Sequence, residues 1–78
     1  MTASIYTRIN GQIGASCDGV QDTGYHITAR AAKDRLLYTV YDMDDPDKTL
    51  AVDVPRVEAE AVIAEDWRGA LGGIKTSL

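Results

Sequence analysis

Four aspartates, Asp42, Asp44, Asp45 and Asp47, gather around Pro46 in the stretch YDMDDPDK, residues 41–48. Carboxylates at this density can hold calcium, present a negative field to a cationic partner, or nucleate a turn. Calcium fails on spacing. An EF-hand loop places oxygen ligands at positions 1, 3 and 5, glycine at 6 and a bidentate glutamate at 12. With Asp42 first, Pro46 falls fifth, Asp47 sixth and Asp53 twelfth, so the glycine and the bidentate ligand are both missing. Asp45-Pro46-Asp47-Lys48 has instead the chemistry of a type I turn, with Asp first and Pro fixing φ at the second position. The stretch reads as a metal-free hairpin loop, and no cofactor is expected.

Other residues able to do chemistry are sparse. His26 is the only histidine and Cys17 the only cysteine, and no nucleophile-elbow or Cys-His signature accompanies them. A single cysteine excludes an internal disulfide and a multi-thiolate zinc site within one chain, and reads as a small buried apolar residue. Glu58 and Glu65 share one side of a helix, but that is its solvated side, and general acid–base work needs a partly dry cleft. NGQIG and GALGG lack the Lys-Ser or Lys-Thr and the strand-to-helix context of a phosphate-binding loop. The chain reads as a non-enzyme.

Composition fits a small folded domain. Apolar residues make up 45% of the 78-residue chain and charged residues 26%, too apolar for intrinsic disorder. A domain of this size buries only about 60% of the surface its unfolded chain exposes, so the core is small. No apolar run approaches the ~18 residues of a membrane helix, and MTASIYTRING has neither the basic start nor the apolar stretch of a signal peptide, so a cytoplasmic location is expected. Eight basic and twelve acidic side chains give a net charge of −4, which works against broad binding to nucleic acid or anionic lipid and favours a positively charged partner.

Period-two patterning fills the first two thirds of the chain. Ile5, Thr7 and Ile9 alternate with Tyr6 and Arg8; Ile13, Ala15 and Cys17 with Gly14 and Ser16; Tyr25, Ile27, Ala29 and Ala31 with His26, Thr28 and Arg30. Strands are expected over about 4–9, 13–17, 25–32, 36–43 and 49–54, with a helix over about 55–71. A three-residue loop of Asn10, Gly11 and Gln12 would oppose Ile9 to Ile13 and keep the apolar residues on one face. Pairing Ala32 with Leu36 would set Ile27 opposite Tyr41 and Arg30 opposite Tyr38. Leu36, Tyr38 and Val40 would then lie on the face away from the helix, apolar enough to need a partner or a second copy. In the helix, Ala59, Ile63, Ala64, Trp67, Ala70 and Leu71 share an arc of about 140°, opposite Glu58, Glu65, Asp66 and Arg68, while Glu60 intrudes on the apolar side. Pro55 suits its start and Gly72-Gly73 its stop, with Trp67 the largest core contribution, about 2–3 kcal/mol. The fold expected is α+β, an antiparallel meander of four or five strands with one C-terminal amphipathic helix across one face.

With its compact sheet and helix, no catalytic motif, and the aspartates of YDMDDPDK at one end, the chain resembles in general character the small acidic inhibitors of phages and mobile elements, such as anti-CRISPR proteins. The resemblance rests on no defining motif. It implies docking on a basic nucleic-acid-binding surface of a CRISPR effector complex, blocking access of DNA. Asp42, Asp44, Asp45 and Asp47 would be the main contacts, with Glu58 and Tyr38 in support; a net charge of −4 is modest for strict DNA mimicry and points to mixed polar and apolar docking. Two alternatives stand beside it: a small subunit or adaptor of a larger assembly, and a weak nucleic-acid-binding module using the Arg30/Lys33/Arg35 hairpin. Because the acidic loop lacks calcium spacing, a chelator is expected to leave the melting temperature unchanged; a rise of several degrees in micromolar calcium would contradict the metal-free reading.

Overall fold

Register in this sheet is set by the turns, and the turns depart from the simplest reading of the pattern. The computed structural model describes the backbone of residues 2–76 and the side chains of residues 2–69. In chain order the elements are β1 (Ala3–Thr7), β2 (Ile13–Cys17), β3 (His26–Ala32), β4 (Arg35–Tyr41), β5 (Thr49–Val54) and α1 (Arg56–Thr76). The strands form one five-stranded antiparallel sheet in the order β1-β2-β3-β4-β5, and α1 packs against β1, β2, β4 and β5. This is the α+β meander that the patterning predicts.

The β1–β2 loop has three residues, as expected, but they are Ile9, Asn10 and Gly11. The Arg8 N–H donates to the Gln12 carbonyl and the Gly11 N–H to the Arg8 carbonyl, and Gly11 takes φ +89°. A three-residue hairpin loop needs its left-handed residue last, and only glycine occupies that conformation cheaply. Placing Gly11 there moves the register by two, so that Ile5 opposes Ala15 and Thr7 opposes Ile13. Ile5, Ala15 and Cys17 still share the buried face, but Ile9 is left fully exposed at the tip.

The β3–β4 turn corrects the sequence reading more deeply. Its loop has two residues, Lys33 and Asp34, with Lys33 at φ +57°, so Ala32 pairs with Arg35 rather than Leu36. A slip of one residue exchanges the faces of a strand. Ile27 therefore opposes Val40, Arg30 opposes Leu37, and Tyr38 and Val40 turn toward the helix. Tyr38 is 9% exposed and Val40 fully buried, both in the core cluster, while Leu36 is half exposed. The apolar face proposed for self-association through Leu36, Tyr38 and Val40 is thus the inside of the protein. On β5, register shifts opposite Tyr38 and Val40 break the alternation: Leu50, Ala51 and Val54 pack on the core, and Val52 points outward.

Between β2 and β3 the sheet narrows to a single register pair, Ile13 with Ile27. Asp18-Gly19 makes the cause visible. Both residues have positive φ, as a type I′ turn requires, and Cys17 and Val20 exchange backbone hydrogen bonds across them. The chain then doubles back along β2, where the Thr23 N–H and hydroxyl both donate to the Ala15 carbonyl. Residues 20–23 occupy the edge of β2 that β3 would otherwise take. Tyr25 is delivered into the gap and is the largest fully buried side chain, ahead of Ile63, Val40 and Cys17. Trp67, expected to lead the core, is partly buried against it.

The helix starts where predicted. The Ala59 N–H donates to the Pro55 carbonyl, with Glu58 in the first turn near the positive end of the dipole. It buries Ala59, Ile63 and Ala64, and the small Ala59 and Ala64, with Ala3 and Ala15 in the same core, let helix and sheet approach closely. It runs through Gly72 and Gly73 rather than stopping there. The side chains of Ala70 and Leu71, given to the apolar arc, lie outside the described residues. Two glycines make opposite predictions. Gly11→Ala, at φ +89°, is expected to destabilise by about 1 kcal/mol. Gly69→Ala, in the helix with open space at its Cβ, is expected to stabilise by about 0.5–1 kcal/mol. Urea midpoints of the two variants, compared with wild type, check both signs.

Candidate acidic docking site

The loop joining β4 to β5 is closed by backbone bonds from Asp42 N–H to the Lys48 carbonyl and from Lys48 N–H to the Asp45 carbonyl, the second being the turn read from Asp45-Pro46-Asp47-Lys48. Two aspartates also build the loop. Asp42 Oδ1 accepts the Asp44 N–H at 2.8 Å, and Asp45 Oδ1 accepts the Asp47 N–H at 3.0 Å. Such turns rigidify the backbone while leaving each carboxylate its charge. Among the described residues, the Asp44 and Asp47 carboxylates accept no hydrogen bond and face solvent.

The structure divides the four aspartates. Asp42 and Asp44 line a cavity of about 400 Å³ with Met43, Glu65, Asp66 and Gly69. Asp45 and Asp47 lie at the tip beside Pro46, whose ring turns to the far face of the sheet and lines a smaller cavity with His26, Thr28 and Tyr41. Glu58 reaches the acidic set indirectly: it lines an adjoining cavity of about 410 Å³ with Leu50, Ala61, Val62, Glu65 and Asp66. The two cavities share Glu65 and Asp66, so one groove follows the side of α1, lined by these acids and by Leu50, Ala61, Val62 and Met43. Tyr38, the sixth residue assigned to the site, is in the core and takes no part.

Sequence reasoning left Glu65 and Asp66 out of the site as members of a solvated helix face. The heptad interval from Glu58 to Glu65 was the available signal, since it puts both on one line along the helix. Asp66 has a second task that no spacing reveals. Its Oδ2 accepts the Tyr25 hydroxyl at 2.6 Å. Burial first, and then this hydrogen bond and the Asp66 charge, push the Tyr25 phenol well above the ordinary tyrosine range.

Elsewhere three carboxylates are matched by cations, while Asp18 and Asp34, in turns, take no ion pair among the described residues. Arg8 grips Asp22 through two hydrogen bonds of 3.0 and 2.8 Å, and this bond with the Gly24 N–H holds Asp22 below the usual carboxylate range. Arg30 Nε meets Asp53 Oδ1 at 2.8 Å, and Arg56 Nε meets Glu60 Oε2 at 3.0 Å. Among the described residues, no ion pair takes Asp42, Asp44, Asp45, Asp47, Glu58, Glu65 or Asp66. The Arg30–Asp53 pair also bears on the nucleic-acid alternative. Arg30 is committed to a carboxylate and Tyr38 is buried, so the cation and aromatic expected to act side by side at the Arg30/Lys33/Arg35 hairpin do not share a surface.

Cys17 is buried, and burial pushes its thiol up, with Asp18 adding to the effect, the opposite of an activated nucleophile. His26 lies exposed on the outer face. Among the described residues no group of three or more His, Cys, Asp or Glu side chains is placed to hold a metal ion, and no helix is long and apolar enough to cross a membrane.

The Tyr25–Asp66 bond sets a pH dependence. Above pH ~10 the unfolded chain releases the tyrosine proton while the folded chain keeps it, so proton loss favours unfolding. Wild-type stability is therefore expected to be fully present below that pH and to fall above it, with Tyr25→Phe showing a shallower fall. At neutral pH the same substitution should cost about 1–2 kcal/mol for the lost bond to a charged acceptor. Denaturant titrations of both proteins from neutral to strongly alkaline pH check the sign; parallel curves would contradict it.

Comparisons of this chain with protein-family models, with curated proteins and with solved structures find no match, which leaves the chemistry of the site as the ground for a function.

Proposed function

We propose that the protein is a non-enzymatic inhibitor that acts in the cytoplasm by binding, with its acidic groove and loop, a basic nucleic-acid-binding surface of a partner complex. A CRISPR effector is the partner class its general character suggests. The observation that carries this reading is the unneutralised acid of the groove. Asp42, Asp44, Glu65 and Asp66 line one cavity without a cation, while Asp22, Asp53 and Glu60 are each matched by an arginine. Carboxylates held on a closed loop and a helix offer Arg and Lys side chains the charge-assisted hydrogen bonds that phosphates otherwise supply. Leu50, Ala61, Val62 and Met43 add apolar contact, which suits a chain of modest net charge.

Each element of the groove has a role. The loop carries Asp44 and Asp47 forward into solvent, where they govern encounter and salt dependence. Glu65, Asp66 and Glu58 lie along the helix beside the apolar lining, where closer docking excludes water and lengthens the lifetime of the complex. Inhibition is stoichiometric, because occupation of the cationic site is itself the block.

Asp44→Lys/Asp47→Lys reverses two exposed charges that accept no hydrogen bond in the loop, and is expected to slow association and weaken inhibition at least tenfold, about 1.4 kcal/mol, with the fold intact. The assay is competition with target DNA on a purified effector complex, repeated at rising salt. Equal inhibition by variant and wild type would remove the loop from the mechanism. Absence of inhibition by the wild type would remove that complex as the target.

A further inference from the structure

β1 forms one edge of the sheet, and its sequence, Ala-Ser-Ile-Tyr-Thr, carries neither charge nor proline. An uncharged, β-prone edge strand is a template for another strand, and proteins ordinarily guard such edges with lysine, proline or a bulge. The opposite edge has such guards. On β5, Asp53 sits at φ +52° in an irregular stretch, turns its N–H inward to Thr39 Oγ1 at 3.2 Å, and holds a carboxylate on the edge. β1 has none of its own.

Its guard comes from the helix. The Arg8 N–H donates to Gln12 across the hairpin, so by alternation the backbone groups of Ala3, Ile5 and Thr7 point away from β2. At the centre of this row, the Ile5 N–H donates to Glu60 Oε2 at 2.8 Å, and Arg56 Nη2 donates to the Ile5 carbonyl at 2.7 Å. The same Glu60 oxygen accepts from Arg56 Nε at 3.0 Å. One acceptor and one donor, four residues apart on α1, thus reproduce what a neighbouring strand would offer Ile5. This also explains why a glutamate intrudes on the apolar side of the helix.

We infer that the β1 edge is a strand-pairing surface held shut by Arg56 and Glu60, and that its occupant once opened is β1 of a second copy of the chain. An antiparallel pair centred on Ile5 is self-complementary: Ile5 opposes Ile5, Ala3 opposes Thr7, and no charge on either strand resists the approach. Two five-stranded sheets then join into one continuous sheet across a twofold axis.

Two measurements test this. In wild type, the Ile5 amide is expected to exchange with solvent roughly tenfold more slowly than those of Ala3 and Thr7, which share the edge without the clamp. Exchange of Ile5 as fast as its neighbours, or a wild-type dimer paired through β1, would overturn the inference. Arg56→Ala/Glu60→Ala, checked for folding by circular dichroism, is expected to double in mass in sedimentation as concentration rises. Adding Thr7→Lys, a charge on the opened edge, should restore the monomer. A folded double variant that stays monomeric, or a dimer indifferent to Thr7→Lys, would also overturn it; if the double variant does not fold, the wild-type amide exchange decides.

Discussion

The joint between β2 and β3 is the constraint on which the rest of the molecule depends. A single register pair, Ile13 with Ile27, holds the β1–β2 hairpin to the β3–β4–β5 half. A two-stranded hairpin is marginal in water on its own, and so narrow a joint to the three-stranded half adds little to it. The missing cohesion comes from α1, which packs on strands of both halves and buries Ile63 and Ala59 fully in the shared core. Burial of Ile63 and Tyr25 contributes on the order of 2–3 kcal/mol each, and the bonds from Tyr25 to Asp66 and from Ile5 to Glu60 and Arg56 add about 1 kcal/mol apiece. Each of these ties the helix to a different part of the sheet. Loss of the helix would release both halves together, which makes its formation and the closure of the sheet one cooperative event.

Under this constraint the acidic residues sort by task. Glu60, Asp22 and Asp53 are held by arginines, and Asp66 by a buried tyrosine, at the places where the fold needs joining. Asp42 and Asp45 shape their own loop. What remains is Asp18 and Asp34 in turns away from the groove, Glu58 in the first turn of the helix, and Asp44, Asp47 and Glu65, whose carboxylates take no hydrogen bond or ion pair among the described residues; those gathered at the groove repel one another. With a screening length of about 8 Å at physiological salt, neighbours along one groove feel that repulsion. A fold that retains it gives up stability that a few neutral side chains would return, and departures of this kind concentrate where a protein meets its partners.

Strand and helix were legible in the sequence because their periods are local properties, and register was less so because it belongs to the turns. Asn10-Gly11 announces a loop of the right length, yet its register follows only when Gly11 is put last. Asp18-Gly19 carries the plain signature of a type I′ turn, but the polar run after it conceals the return along β2. Nothing in Lys33-Asp34 marks a two-residue turn, because lysine is a poor residue for φ +57°. That one residue decides whether Tyr38 and Val40 face the helix or the solvent, so the largest misreading of the surface grew from the least informative turn. Glu60 and Asp66 were equally opaque. Their partners are Ile5 and Tyr25, distant in sequence, and one of those partners is a backbone group that every residue has.

The groove and the joint are not independent, because Asp66 belongs to both. Its Oδ2 holds Tyr25 in the gap between the sheet halves, while its side chain lines the cavity with Asp42, Asp44 and Glu65. A cationic side chain bound there bridges the β4–β5 loop to the helix, and whatever binds the closed form alone stabilises it by mass action. On the proposed function, docking and folding are therefore coupled through one carboxylate. Removing Asp66 weakens the domain and the groove together, whereas reversing Asp44, which touches only solvent, changes the field of the groove and leaves the joint as it was. The separation follows from the placement of the two residues, one under the helix against Tyr25 and the other at the open end of a closed loop.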